Sequence, residues 1–140
     1  MQITQPTRPL NLFERMTPGE EGELAARGEN YEREIGQMLT KIEASIKRIK
    51  VVQWGDVADL ANLAEGLTGI AAVVTGDDYH PKDNGIGYSK SIEQGNTRHR
   101  ARIAEAIKTI RHGIKGKGTV DPYWLADIQR WIREFMQDKF

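Results

Sequence analysis

The stretch YEREIGQMLTKIEASIKRI, residues 31–49, decides the fold of this chain. Its apolar side chains recur at alternating spacings of four and three residues, which is the pattern of a coiled coil or of a bundle of long helices. The seam consists of Tyr31, Ile35, Met38, Ile42, Ser45 and Ile49. This periodicity predicts one long amphipathic helix that buries a single face.

Sequence signals on both sides of the seam predict where this helix begins and ends. Thr17 precedes Pro18 and lies three residues before Glu20, which is a capping box with proline at the first helical position. Acidic residues follow the start and basic residues precede position 50, as the helix dipole favours. A helix over 17–50 would be about 50 Å long. That length exceeds what a small four-helix domain needs, so the seam predicts packing against a second copy of the chain.

Three further amphipathic segments predict three more helices. We expect the second helix at 56–75, capped by Asp56 after a short β-prone bridge of Val51, Val52 and Trp54. The third is expected at 97–113, capped by Asn96 or Thr97, and the fourth at 121–138, where Asp121 caps and Pro122 opens the helix. The sequence therefore predicts an all-α, four-helix bundle-like domain over residues 17–140. An extended N-terminal arm over 1–16 and a long loop over 76–96, crossing one end of the bundle, complete it.

Composition limits the classes of protein to which the chain can belong. Its 140 residues include no cysteine, which excludes thiol catalysis, thiolate metal sites and disulfides and suits the cytoplasm. The 20 basic and 20 acidic side chains give a formal net charge of zero, so the molecule has no overall attraction to nucleic acid or membrane. No signal peptide or long apolar run is visible. We expect a soluble cytoplasmic protein that does not engage a membrane.

The loop 76–96 carries the residues that could support chemistry. Asp77, Asp78, His80 and Asp83 are of the type that binds a divalent metal, but their spacing does not match an EF-hand. The glycines around Ser89 lack the order of a phosphate-binding loop, and no serine has a base placed by sequence. We therefore expect neither a metal nor a cofactor, and an enzyme or metal site in this loop is the least favoured hypothesis.

The third helix carries a local concentration of positive charge. Four of its basic side chains fall within about 80° of one another at 100° per residue, beside the isoleucine stripe. These are Arg100, Lys108, Arg111 and Lys115, and we call them the basic strip. Arg98 and Arg102 lie on the opposite flank. The strip predicts either pairing with the acidic first helix or binding of an anionic partner.

The sequence thus favours a small non-enzymatic binding, adaptor or inhibitor-type module that acts on a macromolecule. A protein partner and a homo-oligomer are expected, the oligomer forming through the seam residues Tyr31, Ile35, Met38, Ile42 and Ile49 and through the arm. The alternative is a nucleic-acid-binding regulator that uses the basic strip.

Overall fold

The chain forms four α-helices. The computed structural model describes residues 18–76 and 79–140, and no strand occurs within these ranges. The helices are α1, Pro18–Lys47; α2, Trp54–Thr75; α3, Ile92–Ile114; and α4, Pro122–Lys139. The all-α, four-helix prediction is confirmed. The arm 1–16 and the cap at Thr17 lie outside the described residues.

The start of α2 differs from the prediction because Asp56 acts from inside the helix. Gln53 is the N-cap, and Asp56 occupies the third helical position. Its carboxylate accepts hydrogen bonds from the backbone N–H groups of Val52, at 2.9 Å, and Gln53, at 3.1 Å. A carboxylate at this position satisfies amides that precede the helix. Trp54 is therefore the first helical residue and not part of a β-prone bridge.

The start of α3 at residue 97 was also predicted wrongly. Ser91 is the N-cap, and its hydroxyl accepts a hydrogen bond from the backbone N–H of Gln94 at 3.0 Å. Gly95 belongs to the helix and lies against α2, where a Cβ atom would come within 2.6 Å of Val57 Cγ1. Gly113, expected to end the helix, is likewise a contact glycine, 2.2 Å from Val74 Cγ1 by the same construction. The two glycines allow close helix packing. Gly113 also lies one residue before the end of α3 at Ile114, close to the predicted end at residue 113.

These two contacts show that α2 and α3 run parallel. Val57 meets Gly95 and Val74 meets Gly113, so residue numbers increase in the same direction along both helices. The connection must therefore return along the pair, and the prediction that it crosses one end is wrong. We call residues 79–91 of this connection the strap.

The core lies between the α2–α3 pair and α1 packed on α4. Among its largest fully buried side chains are Leu39, Leu60, Leu67, Ile110, Leu125, Ile128 and Ile132. Two seam residues, Ile35 and Ile42, are 0% exposed, and Tyr31, Met38 and Ile49 pack against the core as partly buried side chains. Ile35 and Ile42 are thus used within the core of one chain. Self-association through the partly buried seam residues and the arm stays a prediction.

Helix α2 is the one described helix whose length and composition would suit a membrane span. Eight of its side chains are nevertheless buried inside the fold: Val57, Leu60, Leu63, Ala64, Leu67, Ile70, Ala71 and Val74. The core helix of a water-soluble protein has the same composition. The helix is therefore accounted for by its place at the centre of the bundle.

Gly28 of α1 and Gly118, ahead of α4, touch through their backbones. A Cβ atom on Gly28 would lie 1.7 Å from the carbonyl oxygen of Gly118. We expect Gly28→Ala to lower the free energy of unfolding by about 1–3 kcal/mol, because the overlap forces the helix and the connection apart. Chemical denaturation measures this. Gly22→Ala is the matched control, since nothing lies within 4 Å of its Cβ position, and it should be neutral or stabilise by up to about 1 kcal/mol. Equal effects of the two substitutions would contradict the contact.

The buried seam gives a second prediction. Ile42→Ala should lower the free energy of unfolding by about 2–5 kcal/mol, because it opens a cavity in the chain's own core. The exposed neighbour Lys41→Ala should change it by less than about 0.5 kcal/mol. Light scattering on both variants should give the mass of the parent protein. A stable Ile42→Ala variant with an altered mass would instead make the seam an interface between copies.

Candidate functional site

A groove of about 1070 Å³ runs along the outer side of α3, with the strap contributing to one wall. Six cationic side chains line it: Lys82, Arg98, Arg102, Lys108, Arg111 and Lys115. Two carboxylates, Asp83 and Glu105, line it as well, and Ala101 and Ala104 are exposed between the charges. We call this surface the basic groove. An excess of cations in a concave site raises the local concentration of anions.

Arg100 of the basic strip turns away from the groove and caps α1. Its Nη1 donates to the carbonyl of Ile46 at 2.8 Å, and its Nη2 donates to the carbonyl of Ile49 at 2.5 Å. Carbonyls at a helix C-terminus have no partner within the helix, and the dipole there favours a cation. Arg100 therefore holds α1 to α3.

Arg111 also contacts α1, and its side chain lies at the edge of the groove. Its guanidinium donates to the carbonyl of Gly36 at 3.3 Å and to the hydroxyl of Thr40 at 3.0 Å, and it forms an ion pair with Glu43. This pairing is the internal alternative that the sequence left open. Arg100 and Arg111 thus serve the contact between α1 and α3.

Lys108 and Lys115 are exposed and line the groove. The helical angle explains the division of the strip. At 100° per residue, Arg100 and Arg111 lie within about 20° of each other at the margin of the isoleucine stripe, whereas the two lysines lie about 60–80° from Arg100. Only the arginines are near enough to the core to reach α1. The structure therefore leaves two of the four strip residues for a partner.

Arg98 fastens the strap to α3. Its guanidinium binds both carboxylate oxygens of Asp83, at 2.5 and 2.9 Å, and donates to the carbonyls of Ile86, at 2.9 Å, and Gly87, at 3.0 Å. Asp83 also accepts a hydrogen bond from the backbone N–H of Gly85 at 2.9 Å. Planar guanidinium suits such two-point binding of a carboxylate. One arginine therefore fixes the central residues of the strap.

Arg102, one turn further along α3, is buried beneath the strap. It is 6% exposed, and its Nη1 lies 3.2 Å from Nδ1 of His99, which is 7% exposed. A guanidinium cannot accept a hydrogen bond, so Nδ1 of His99 accepts and its proton is on Nε2. Gly85, with φ of +79°, covers the guanidinium where a Cβ atom would approach Nη2 to 2.7 Å. The strap thus needs glycine at this position for both conformation and space.

The charge of Arg102 has little internal compensation. Burial lowers the pKa of His99, and the nearby guanidinium groups of Arg102 and Arg98 lower it further, so the imidazole remains neutral near neutral pH. Arg102 Nε is buried and makes no hydrogen bond. Among the described residues, Arg102 forms no ion pair within 4.0 Å, and the nearby carboxylate of Asp83 is bound to Arg98.

The other candidates from the sequence do not assemble within the described residues. Asp77 and Asp78 lie outside them, His80 is exposed, and Asp83 is bound to Arg98. No three His, Asp or Glu side chains of residues 18–76 and 79–140 are grouped to hold a metal ion. Ser91 caps α3.

Comparison with models of known protein families, with curated proteins and with solved structures finds no match to this chain.

The sequence did not single out Arg102 and His99 as a buried pair. Arg98 and Arg102 were recognised only as a flank opposite the basic strip. Their spacing of four residues, together with a glycine-rich segment ahead of the helix, is the signal that could have found them. The sequence does not show that the strap lies over this flank of α3.

The Arg98–Asp83 pair makes a prediction about pH. Hydrogen bonding from Arg98 is the main cause that lowers the pKa of Asp83 from 3.8 to about 2, with the amide of Gly85 contributing. A carboxyl whose pKa is lower in the folded than in the unfolded state stabilises the fold fully at pH values above its unfolded-state pKa. This contribution is lost as the pH falls through the folded-state pKa. We call the ion pair between Arg98 and Asp83 the latch. The latch should therefore persist at pH 4 and be lost toward about pH 2.

Carbon NMR titration of the Asp83 carboxyl measures this pKa directly. In Arg98→Gln the midpoint should return toward the ordinary value of 3.8. Arg133→Gln, a substitution of an exposed arginine on α4, should leave the midpoint unchanged. A midpoint near 3.8 in the parent protein would show that the pair does not form in solution.

Proposed function

We propose that the chain is a small non-enzymatic binding module that holds an acidic segment of a partner protein in the basic groove. The observation that carries the proposal is the set of lysines left in the groove after the arginines are used internally. Lys82, Lys108 and Lys115 are exposed, and none forms an ion pair with another described residue. Their charges are available to a partner.

The shape of the groove supports an extended or helical segment as the ligand. From Arg98 to Lys115 the groove follows α3 for about 26 Å, at 1.5 Å per residue. Its floor contains the exposed small side chains Ala101 and Ala104, which let a backbone approach. Carboxylates along such a segment would meet lysines at both ends of the groove. Charge complementarity of this kind guides association and excludes wrong partners.

Three observations favour an acidic protein segment over nucleic acid. The formal net charge of the chain is zero, so there is little long-range attraction to a polyanion. Arg100 and Arg111 are engaged with α1, which removes two candidate phosphate contacts. The described residues that line the groove include no tyrosine, tryptophan or phenylalanine, so they offer bases no platform on which to stack. Nucleic acid remains the alternative that the experiment must separate.

Fluorescence anisotropy with defined probes tests the proposal. The probes are a labelled glutamate-rich peptide and labelled duplex and single-stranded DNA and RNA of similar charge. Lys108→Gln/Lys115→Gln should weaken peptide binding about tenfold, because each exposed ion pair contributes up to about 1 kcal/mol. Helicity and melting temperature should stay as in the parent protein.

Lys41→Gln/Lys47→Gln is the matched control, since it removes two exposed lysines from α1 and keeps the groove. It should bind the peptide as the parent does. Equal losses in both double variants would reduce the effect to net charge and overturn the groove as the site. Tighter binding of nucleic acid than of peptide, with a salt dependence that shrinks in the groove variant, would establish the alternative.

A further inference from the structure

Arg102 is a buried guanidinium that pairs with no carboxylate among the described residues. Moving a charge out of water costs several kcal/mol unless a counter-ion and hydrogen bonds replace the water. Arg102 has one hydrogen bond, to a neutral imidazole, and an Nε with no partner among the described residues. Its guanidinium nevertheless borders an open cavity. An anion entering from the groove would not reach the buried Nε, but it would supply the missing counter-charge to the guanidinium.

The charges near Arg102 specify the anion further. Lys82, Arg98 and Lys108 line the same groove, and the carboxylates there are Asp83 and Glu105. Arg98 pairs with Asp83 and Arg111 pairs with Glu43, so Glu105 is the one carboxylate of the lining without an ion pair among the described residues. The remaining cations of the lining, Lys82, Arg102, Lys108 and Lys115, therefore leave an excess of positive charge. A phosphate monoester carries about −1.5 to −2 at neutral pH and three acceptor oxygens, whereas a carboxylate carries −1 and two. The phosphoryl group matches the excess charge more closely.

We propose that Arg102 is the receptor for a phosphoryl group that enters from the basic groove. The guanidinium donates to phosphoryl oxygens, Lys82 and Lys108 neutralise the remaining charge, and Arg98 keeps the strap in place beside the site. The inference rests on the proposed function only in treating the groove as a binding surface. The phosphoryl group belongs either to a phosphorylated residue within an acidic partner segment or to a small phosphorylated molecule.

The first test uses the intact protein and inorganic phosphate. Because Arg102 Nε is buried, its N–H should exchange slowly and give a resolved nitrogen–proton NMR signal. Phosphate at pH 8, in the millimolar range, should shift this signal and the amides of Gly85 and His99 along a saturable curve. Sodium chloride at equal ionic strength should not. Acetate should bind more weakly than phosphate. A response that is linear, or that is equal for chloride, would overturn the site.

Variants assign the binding to Arg102 and its neighbours. Arg102→Gln should abolish saturable phosphate binding, and Lys82→Gln should weaken it about threefold to tenfold. Arg133→Gln, on the exposed face of α4, is the control and should bind as the parent does. If Arg102→Gln fails to fold, the exposed Lys82 variant and the signals of the parent protein still decide the question. Unchanged binding in Lys82→Gln, with no shift at Arg102, would refute the proposal.

A comparison of ligands distinguishes the sources and separates this proposal from the previous one. A phosphoserine peptide with flanking glutamates that binds at least tenfold more tightly than free phosphoserine would identify a phosphorylated partner segment. Equal affinities would identify a small phosphorylated molecule. If phosphate does not bind at Arg102 while the glutamate-rich peptide still requires Lys108 and Lys115, only the phosphoryl site fails. If phosphate binds and that peptide does not, only the acidic-segment proposal fails.

Discussion

The parallel packing of α2 on α3 forces the chain to travel back along the pair before α3 can begin. The contact requires Gly95 beside Val57 and Gly113 beside Val74, where any larger residue would separate the helices. The 22-residue α2 is about 33 Å long, and residues 76–91 can extend to at most about 55 Å. The return is therefore long enough to lie along α3 and form one wall of the groove. A connection across the end of an antiparallel pair would have formed no such wall.

The basic side chains of α3, together with Lys115 at its C-cap, have three different environments. Arg100 and Arg111 bind α1, Arg98 binds the strap, and Lys108 and Lys115 face water. This division follows from angle: cations next to the isoleucine stripe reach the adjoining helix, and those further around the helix do not. The same helix thus holds two parts of the fold together and presents a charged surface. Because the arginines provide the structural contacts and the lysines remain exposed, the lysines can be replaced without loss of the fold.

Features of the fold that depend on neighbouring residues could be predicted, whereas those that depend on distant ones could not. The cap of α4 by Asp121, with Pro122 following, was recognised because both signals lie within one turn. The role of Asp56 was misjudged by three positions, since a carboxylate serves either as N-cap or as the third residue of a capping box. Gly113 was expected to end α3, which ends one residue later, at Ile114. The packing function of Gly95 and Gly113 depends on α2, which the local sequence does not show.

The candidate site was predictable to the same limited extent. Helical angles placed Arg98 and Arg102 together and away from the strip, but angles alone do not show what covers that flank. The burial of Arg102 follows from the strap, and the strap's course follows from the parallel helices. Its charge is then costly, because an apolar side chain would fill the same space without desolvating a cation. A ligand that binds the folded chain at this guanidinium would offset that cost and add its binding energy to the stability of the fold. Since Arg98 and Arg102 lie on successive turns, such a ligand and the Asp83 latch would act together to hold the strap against α3.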